Sequence, residues 1–175
     1  DVNGDGVADL SVWRPSNQTF YSYSLVSKNL VTNEIVGSDE YGTPLMGDVD
    51  GNGQNDLAVW RAEDGLWEII FDSGQSSSFS LGQLGDYAFL MDVDGDGQAD
   101  PIIRRPSTGK WHYLASDSGY VEQSISFGSK EADVLVLGDY DGDGKADFAV
   151  KRGAIWYIKR SSNGVTQTRN LGTQS

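Results

Sequence analysis

The nine residues DVDGDGQAD, from Asp92 to Asp100, place Asp at every second position and a further Asp four residues later. Related stretches occur three more times, as DVNGDGVAD at 1–9, DVDGNGQND at 48–56 and DYDGDGKAD at 139–147. Their first residues lie 47, 44 and 47 residues apart. A nearly fixed period of this length is typical of repeat architectures, in which each repeat forms one structural unit.

The same succession of segments follows each acidic stretch. An apolar run ending in Arg comes first, then a turn, an aromatic-rich run and a polar run that closes on Gly. The apolar runs are LSVWR (10–14), LAVWR (57–61), PIIRR (101–105) and FAVKR (148–152). The aromatic runs are FYSYSLV (20–26), LWEIIF (66–71), WHYLA (111–115) and IWYIKR (155–160). Three further apolar runs precede the later acidic stretches: TPLMGD (43–48), YAFLMD (87–92) and VLVLGD (134–139).

These runs are predicted to be β-strands. In the second repeat Trp67, Ile69 and Phe71 alternate with Glu68, Ile70 and Asp72, which is the period of a strand. We name the strands of a repeat A (before the acidic loop), B (after it), C (aromatic) and D (polar). Strand A is apolar almost throughout, so both of its faces are expected to be buried. Strand D is polar on both faces, as suits an exposed outer edge.

The pattern predicts an all-β chain of the β-propeller type, with four-stranded antiparallel blades repeated about every 46 residues. A stacked β-solenoid would need shorter and more uniform coils. The predicted repeats are 1–42, 43–86, 87–133 and 134–175, in a single propeller domain or a fragment of one. Strand A occurs only three times, so the first blade is expected to lack its inner strand. We expect either a longer propeller or a neighbouring chain to supply that strand.

Composition restricts the function. The formal net charge of −13 argues against a nucleic-acid partner, which requires a basic surface. Fourteen of the 26 acidic residues lie in the four loops, and the remaining 12 nearly balance the 13 Lys and Arg residues. The acidity is therefore concentrated at four sites. There is no Cys for disulfides or thiolate metal sites, and no apolar stretch approaches the length of a membrane-spanning helix.

Each acidic loop has the pattern Asp-x-Asp/Asn-Gly-Asp/Asn-Gly-x-x-Asp. Oxygens at positions 1, 3, 5 and 9 and the carbonyl of position 7 can converge on one cation, and the Gly residues at positions 4 and 6 permit the tight turns. The predicted metal ligands are Asp1, Asn3, Asp5, Val7 and Asp9; Asp48, Asp50, Asn52, Gln54 and Asp56; Asp92, Asp94, Asp96, Gln98 and Asp100; and Asp139, Asp141, Asp143, Lys145 and Asp147.

An all-oxygen site of this charge suits Ca²⁺ better than Mg²⁺, which demands octahedral geometry and retains water. We therefore expect about four Ca²⁺ ions, one per repeat. Zinc would require His or Cys ligands, and His112 is the only one of these residues present. The loops are not EF-hands, because an acidic residue is required at position 12 and the chain has apolar residues there: Val12, Val59, Ile103 and Val150.

The loops and the strands after them resemble the FG-GAP/VCBS repeats of integrin α-subunit heads, some fungal lectins and many secreted bacterial proteins. The Phe-Gly pair is present as Phe127-Gly128 and weakly as Leu81-Gly82 and Leu171-Gly172. The resemblance covers nearly the whole chain, although these repeats are shorter than the integrin kind and lack the Gly-Ala-Pro segment. It implies a calcium-binding β-propeller that is secreted or extracellular.

Two further sets of residues recur once per repeat. One set is an Arg at the end of each strand B: Arg14, Arg61, Arg105 and Arg152. Their guanidinium groups could form a ligand-binding ring. We favour the alternative that they bond loop carbonyls or carboxylates, or stack on an aromatic ring of strand C. The other set is an aromatic residue of strand C: Phe20, Trp67, Trp111 and Trp156. These rings could stack on a sugar, but we favour a structural role in which they pack one blade against the next. Trp13 and Trp60 are replaced by Arg104 and Lys151 later, which suggests partial exposure and makes them the glycan-binding candidates.

No catalytic constellation is recognisable, and the loop carboxylates are expected to be neutralised by metal. The first functional hypothesis is a non-catalytic extracellular module for recognition or adhesion, with a glycan or a surface protein as partner and no membrane insertion. The second is a structural subunit that self-assembles into a filament or larger ring through its incomplete blade. The third is an accessory domain of a secreted carbohydrate-active enzyme.

Overall fold

The structure, a computed structural model, describes residues 1–37, 41–128 and 133–172. These residues contain β-strands and two single-turn 3₁₀ segments, Pro15–Asn17 and Ser116–Ser118, but no α-helix. The strands are β1 (Leu10–Arg14), β2 (Thr19–Tyr23), β3 (Leu30–Ile35), β4 (Thr43–Gly47), β5 (Asp56–Arg61), β6 (Leu66–Ile70), β7 (Ser76–Ser80), β8 (Tyr87–Met91), β9 (Asp100–Arg105), β10 (Lys110–Leu114), β11 (Glu122–Ser126), β12 (Val134–Leu135), β13 (Phe148–Arg152), β14 (Ile155–Lys159) and β15 (Thr166–Asn170).

The strands form four antiparallel sheets with neighbouring strands in chain order. The first sheet has three strands, β1-β2-β3, and the other three have four each, β4 to β7, β8 to β11 and β12 to β15. Each acidic loop leads into strand B of its sheet. The predictions of an all-β chain built from blade-like sheets, and of a first blade without its inner strand, are both confirmed. A single propeller domain spanning 1–175 stays a prediction.

The register of the sheets places large side chains in cross-strand pairs. Trp60 of β5 lies opposite Trp67 of β6, and Trp67 lies opposite Phe79 of β7. The Trp67 and Phe79 rings are nearly parallel, with centroids 5.9 Å apart. Such pairs on one face of a sheet contribute to its stability and help to fix the register.

Strand B, and not strand A, is the most buried strand of each four-stranded sheet. Five consecutive residues of β5 and of β9 are buried, whereas Tyr87 at the start of β8 and Val134 at the start of β12 are more than half exposed. The expectation that both faces of strand A are buried is therefore wrong. The reason is topological, because strand A is an edge strand with one neighbour in its sheet while strand B has two.

The chain divides into two compact units, Asp1–Leu84 and Gly85–Ser175, each containing two sheets. In the first unit, Phe20 and Val36 of the first repeat pack with Leu57 and Val59 of β5. In the second unit, the buried cluster consists of Ile102, Trp111, Phe148 and Val150. In both units, the core therefore joins strand B of one sheet to strand C of its neighbour, which is how apolar faces of adjacent sheets become buried.

The Phe-Gly segment after strand D closes each repeat in the same way. The backbone N–H of its apolar residue donates to the turn between strands B and C in all four repeats, as in Leu81 to Gly65 and Phe127 to Gly109, at 2.8 and 3.1 Å. Gly82 and Gly128 then adopt positive φ angles of 102° and 71°, which favour Gly. The Leu81 carbonyl accepts the indole N–H groups of both Trp60 and Trp67.

Candidate metal loops

The first Asp of each loop organises the backbone of its own loop. In the second loop, Asp48 Oδ1 accepts the N–H groups of Gly51 and Asn52 at 2.7 and 3.0 Å, and Oδ2 accepts that of Gly53 at 2.7 Å. The equivalent bonds to the two Gly residues recur at Asp1, Asp92 and Asp139. All eight loop Gly residues have positive φ angles, so the predicted role of positions 4 and 6 is confirmed.

The oxygens at positions 3 and 5 point into the same turn. In the third loop, Asp94 Oδ1 accepts the N–H of Asp96 at 3.1 Å, and Asp96 Oδ1 accepts that of Gln98 at 2.8 Å. Each Asp or Asn thus bonds the backbone two residues ahead, as Asx turns do. These bonds hold the Oδ1 atoms of positions 3 and 5 against the backbone of the loop.

The Asp at position 9 ties the loop to the strands around it. Asp56 Oδ2 accepts the N–H of Val49, and Oδ1 accepts that of Asp72 just beyond β6, at 2.8 and 3.0 Å. Asp100 and Asp147 make the same two kinds of bond in their repeats, and all three residues are at most 1% exposed. Position 9 therefore has a structural role in addition to the predicted ligand role.

Side-chain oxygens converge in three of the four loops within the described residues. Ligand atoms lie within 4.8 Å of one another in each of three groups: Asp48, Asp50 and Asp56; Asp92, Asp94 and Asp96; and Asp139, Asp141 and Asp147. The clusters could each hold a metal ion. The ligand roles in all four loops, including those of the position 7 carbonyls of Val7, Gln54, Gln98 and Lys145, stay predictions.

Two loop oxygens, one in the first loop and one in the fourth, lack a partner of the kind that a cation would supply. Asp9 Oδ1 and Asp141 Oδ1 are inaccessible to solvent, and neither has a hydrogen-bond partner within the protein. A buried carboxylate oxygen without a partner is costly, since it has lost its hydration. A cation in the loop would supply the missing interaction, and the oxygen-only donor set is the type that Ca²⁺ prefers.

Three loop carboxylates illustrate how burial and hydrogen bonds shift the pKa in opposite directions. Burial raises the pKa of Asp100 to about 6, although the N–H groups of Val93 and Ser116 oppose this shift. Burial also raises the pKa of Asp56. By contrast, the N–H groups of Gly144 and Gly142 lower the pKa of Asp139. Asp139 is thus stabilised as an anion by its own loop, whereas Asp56 and Asp100 carry buried charges that a cation would compensate.

In three repeats, a residue just after strand C contacts the acidic loop. The sequence-based prediction did not include these residues. Ser116 donates to Asp96 Oδ2 at 2.6 Å, and Ser161 donates to both oxygens of Asp143 at 3.0 Å. In the second repeat Asp72 occupies this place, where its oxygens accept from Asn52 Nδ2 and Gln54 Nε2 at 2.7 and 3.0 Å. These residues lie 14 to 22 positions after the loop residues that they contact, so no local motif marks them.

Neighbouring loops within each unit contact one another. The carbonyl of Asp1 accepts the N–H of Asn55 at 2.8 Å, and the carbonyl of Asp92 accepts that of Ala146 at 2.7 Å. Position 1 of one loop thereby bonds position 8 of the next loop. A change in the backbone conformation of one loop should therefore affect the neighbouring loop.

The recurring Arg residues are held by protein groups, as the favoured interpretation predicted. Arg105 makes three hydrogen bonds to the Asp86 carboxylate, and Arg152 makes two to the Asp133 carboxylate. Arg61 makes a salt bridge with Asp64 at 2.6 Å, which lowers the pKa of Asp64 to about 2. The Arg14 guanidinium lies over the ring of Tyr21, 4.8 Å from its centroid.

Burial separates the aromatic candidates. Trp67, Trp111 and Phe20 are at most 2% exposed, as expected of wedges, whereas Trp156 is half-buried. Trp60 is 2% exposed, so the expectation that its position is partly exposed is wrong. Arg104 at the same position is also buried, because its guanidinium donates to the Gly128 carbonyl and stacks on Trp111. Trp13 is half-buried, and its glycan role stays a prediction.

The single His is engaged with a carboxylate. His112 Nδ1 lies 2.8 Å from Glu122 Oε1 across the β10–β11 pair. In residues 1–37, 41–128 and 133–172, no helix has the length and apolar character needed to cross a membrane.

Comparison with known proteins identifies the repeat. Residues 92–150, which contain the third and fourth loops, match the family of FG-GAP-like repeats. No curated protein matches the chain by sequence.

The chain resembles several solved structures in fold. A selenomethionine-substituted virginiamycin B lyase from Staphylococcus aureus matches with a TM-score of 0.62 and 10% identity, covering 99% of this chain and 55% of the lyase. A streptogramin B lyase matches with a TM-score of 0.60 and 13% identity, covering 95% and 52%. The structure of BBS1N in complex with ARL6DN matches with a TM-score of 0.54 and 13% identity, covering 95% and 50%.

The chain spans about half the length of the solved structures that it matches. At 10 to 13% identity the likeness concerns the fold alone, and the two lyases and a protein in a complex share it. The resemblance drawn from the acidic loops is confirmed for residues 92–150, which match the FG-GAP-like repeat family.

Proposed function

We propose that this chain is an extracellular, calcium-binding module of the β-propeller type, without catalytic activity of its own, which serves in recognition or adhesion. The observation that carries the calcium assignment is the convergence of carboxylate oxygens in the loops, together with the unpartnered buried oxygens of Asp9 and Asp141. Calcium binding and an extracellular location are both common among FG-GAP repeats, to which the chain is matched.

The loops favour calcium on chemical grounds. They offer oxygen ligands alone, and Ca²⁺ accepts six to eight of these in irregular geometry. Affinities of roughly 10⁻⁴–10⁻³ M are usual for extracellular calcium modules. Such sites would be filled outside cells and mostly empty in the cytosol, which agrees with the proposed location.

Isothermal titration of metal-free protein with calcium tests this proposal. We expect four bound Ca²⁺ ions per chain and much weaker binding of Mg²⁺. The first site should be the weakest, because Asn3 replaces a carboxylate there and Leu25 stands where the second repeat has Asp72 beside its loop. Absence of calcium binding at millimolar concentration would refute the proposal.

The proposed partner is a glycan or a surface protein. The second unit has a cleft of about 290 Å³ lined by hydroxyl, aromatic and guanidinium groups, including Thr108, Ser126, Phe127, Arg152 and Tyr157. Such a mixture of polar and aromatic groups suits a sugar. We expect hits on a glycan array, and we expect Thr108→Trp, which fills the cleft from an exposed position, to abolish them.

Exposed apolar faces favour a second candidate function, self-assembly. Leu57 and Val59 of β5 are 4% and 2% exposed, because the first sheet covers them in the core of the first unit. Leu10 and Val12 occupy the same positions in β1, and they are 60% and 63% exposed. The first sheet therefore presents an apolar face of the kind that a neighbouring sheet covers elsewhere in the chain.

The fourth sheet presents the complementary face. In the first unit the covering residues are Phe20 and Val36, both at most 2% exposed. Their equivalents in the fourth repeat are Trp156, which is half-buried, and Leu171, which is 67% exposed. We propose that the fourth sheet of one copy covers the first sheet of another, head to tail. Contacts of this heterologous kind generate rings or open filaments.

Sedimentation velocity tests this assembly with variants of both faces. We expect the wild-type chain to form oligomers, and both Val12→Lys and Leu171→Lys to be monomeric. A mixture of the two variants should give dimers, since each retains one intact face. Val121→Lys, which changes another apolar residue of 64% exposure, is the control and should assemble normally. A monomeric wild-type chain at high concentration would exclude the assembly.

A further inference from the structure

The second loop lacks a carboxylate that the third and fourth loops have. Position 5 is Asn52 in the second loop, but Asp96 and Asp143 in the others. The nine residues of the second loop therefore carry three carboxylates, against four in the third and fourth loops. The affinity of a calcium loop depends on its number of charged ligands, so the second site should be weaker if the loop alone determined it.

A residue outside the second loop supplies the carboxylate that the loop lacks. Asp72, Ser116 and Ser161 occupy equivalent places, because the backbone N–H of each donates to Oδ1 of the position 9 Asp, at 3.0, 2.9 and 2.7 Å. Each side chain also contacts position 5 of its loop. The third and fourth repeats thus pair Asp at position 5 with Ser, and the second repeat pairs Asn at position 5 with Asp.

We propose that Asp72 is an outlying acidic residue of the second metal site and sets the calcium affinity of that site. This inference rests on the proposed calcium binding. Asp72 holds the Asn52 amide and the Gln54 amide, so that Asn52 Oδ1 remains on the loop side, where it accepts the N–H of Gln54 at 2.8 Å. Asp72 thereby orients an oxygen ligand and restores the negative charge of the site to that of the third and fourth.

The first repeat provides an internal contrast. Leu25 stands at the position equivalent to Asp72, and the loop has Asn3 at position 3. Ser24, one residue earlier, contacts Asp5 Oδ2 at 3.3 Å, but it adds no charge. The first site therefore has three carboxylates without a compensating one, and it should bind calcium more weakly than the second.

Exchange of the two residues tests the inference. We would follow calcium binding to wild type, Asp72→Ser, Asn52→Asp and the double variant by the ¹H–¹⁵N resonances of Gly51 and Gly53, which lie in the second loop, beside those of Gly4 and Gly6 in the first loop as a reference. We expect Asp72→Ser to weaken binding at this loop by about 10- to 100-fold, as is usual when a residue supporting a metal ligand is removed. The double variant reproduces the Asp–Ser pair of the third and fourth loops, and it should restore the affinity.

Glu63→Ser is the matched control, because it removes one exposed negative charge at the opposite end of β5. It should leave the second site unchanged. If wild type binds calcium at this loop and Asp72→Ser binds equally well, the inference is wrong and the proposed function stands. If no resonance of wild type responds to calcium, the proposed function itself fails. A double variant as weak as Asp72→Ser would also overturn the inference.

Discussion

Removal of calcium with EDTA should lower the melting temperature of this chain by well over ten degrees. Without a cation, each loop holds three or four carboxylates in one turn, and their mutual repulsion is relaxed in the unfolded chain. A metal that binds only the folded chain stabilises it by about 2.7 kcal/mol per site at 100 times the dissociation constant. Two or three such sites equal the roughly 5–15 kcal/mol of free energy that stabilises a typical domain.

The measurement is a pair of thermal melts, one in about 10 mM calcium, which is 100 times a dissociation constant of 10⁻⁴ M, and one in EDTA. For a chain of this length, each kcal/mol shifts the melting temperature by about 2–4 °C. Asp94→Asn is the partial control. It removes one charge from the third loop and leaves the other three intact, so its effect in calcium should be smaller than that of EDTA. Identical melting curves in calcium and in EDTA, for protein shown to be metal-free, would contradict a stabilising role.

Substitution of Trp111 by Ala should cost about 3–5 kcal/mol of unfolding free energy. The side chain is fully buried, and its ring contacts those of Phe89 and Phe148 at centroid distances of 5.8 and 5.2 Å. Its Nε1–H donates to the Phe127 carbonyl at 2.9 Å. The substitution leaves a cavity at the centre of the second core, and it leaves that carbonyl without its indole donor.

Trp156→Ala is the matched control for Trp111→Ala. Trp156 occupies the equivalent place in the fourth sheet, but it is half-buried and its Nε1 has no hydrogen-bond partner. Its truncation should cost less than half as much in urea denaturation. Equal losses at the two positions would show that the aromatic position of strand C has the same structural role in each sheet, and would contradict the burial-based argument.

The repeat period and the loop pattern predicted most of the fold. Strand positions followed from the alternation of apolar residues, and the absence of strand A from the first sheet followed from comparison of the four repeats. Burial was harder to predict. Tyr87 and Trp60 are both large and apolar, yet one is 55% exposed and the other 2% exposed. The exposure of such a residue depends on whether its strand has one neighbouring strand or two, and on what packs against the sheet there. Neither can be read from the residue types of the strand.

The acidic residues of the loops could be predicted because one turn contains them all. Asp72 and Ser116 could not, because strands B and C lie between each of them and its loop, and because an isolated Asp or Ser after a strand is typical of an ordinary turn. Their role appears only once the sheet register brings the end of strand C beside the loop. The signal available in the sequence was a paired difference between repeats. In the third and fourth repeats position 5 of the loop is Asp and the residue after strand C is Ser, whereas in the second repeat position 5 is Asn52 and that residue is Asp72.

The most direct test of the account is a crystal structure of this chain grown in calcium, with the ions located by their anomalous scattering. The account predicts one peak in each of the four loops, among the side-chain oxygens of positions 1, 3 and 5. It also predicts that the peak in the second loop is lost first from Asp72→Ser crystals as calcium is reduced. Loops without peaks at millimolar calcium, or peaks only at other places on the surface, would contradict the assignment of these loops as calcium sites.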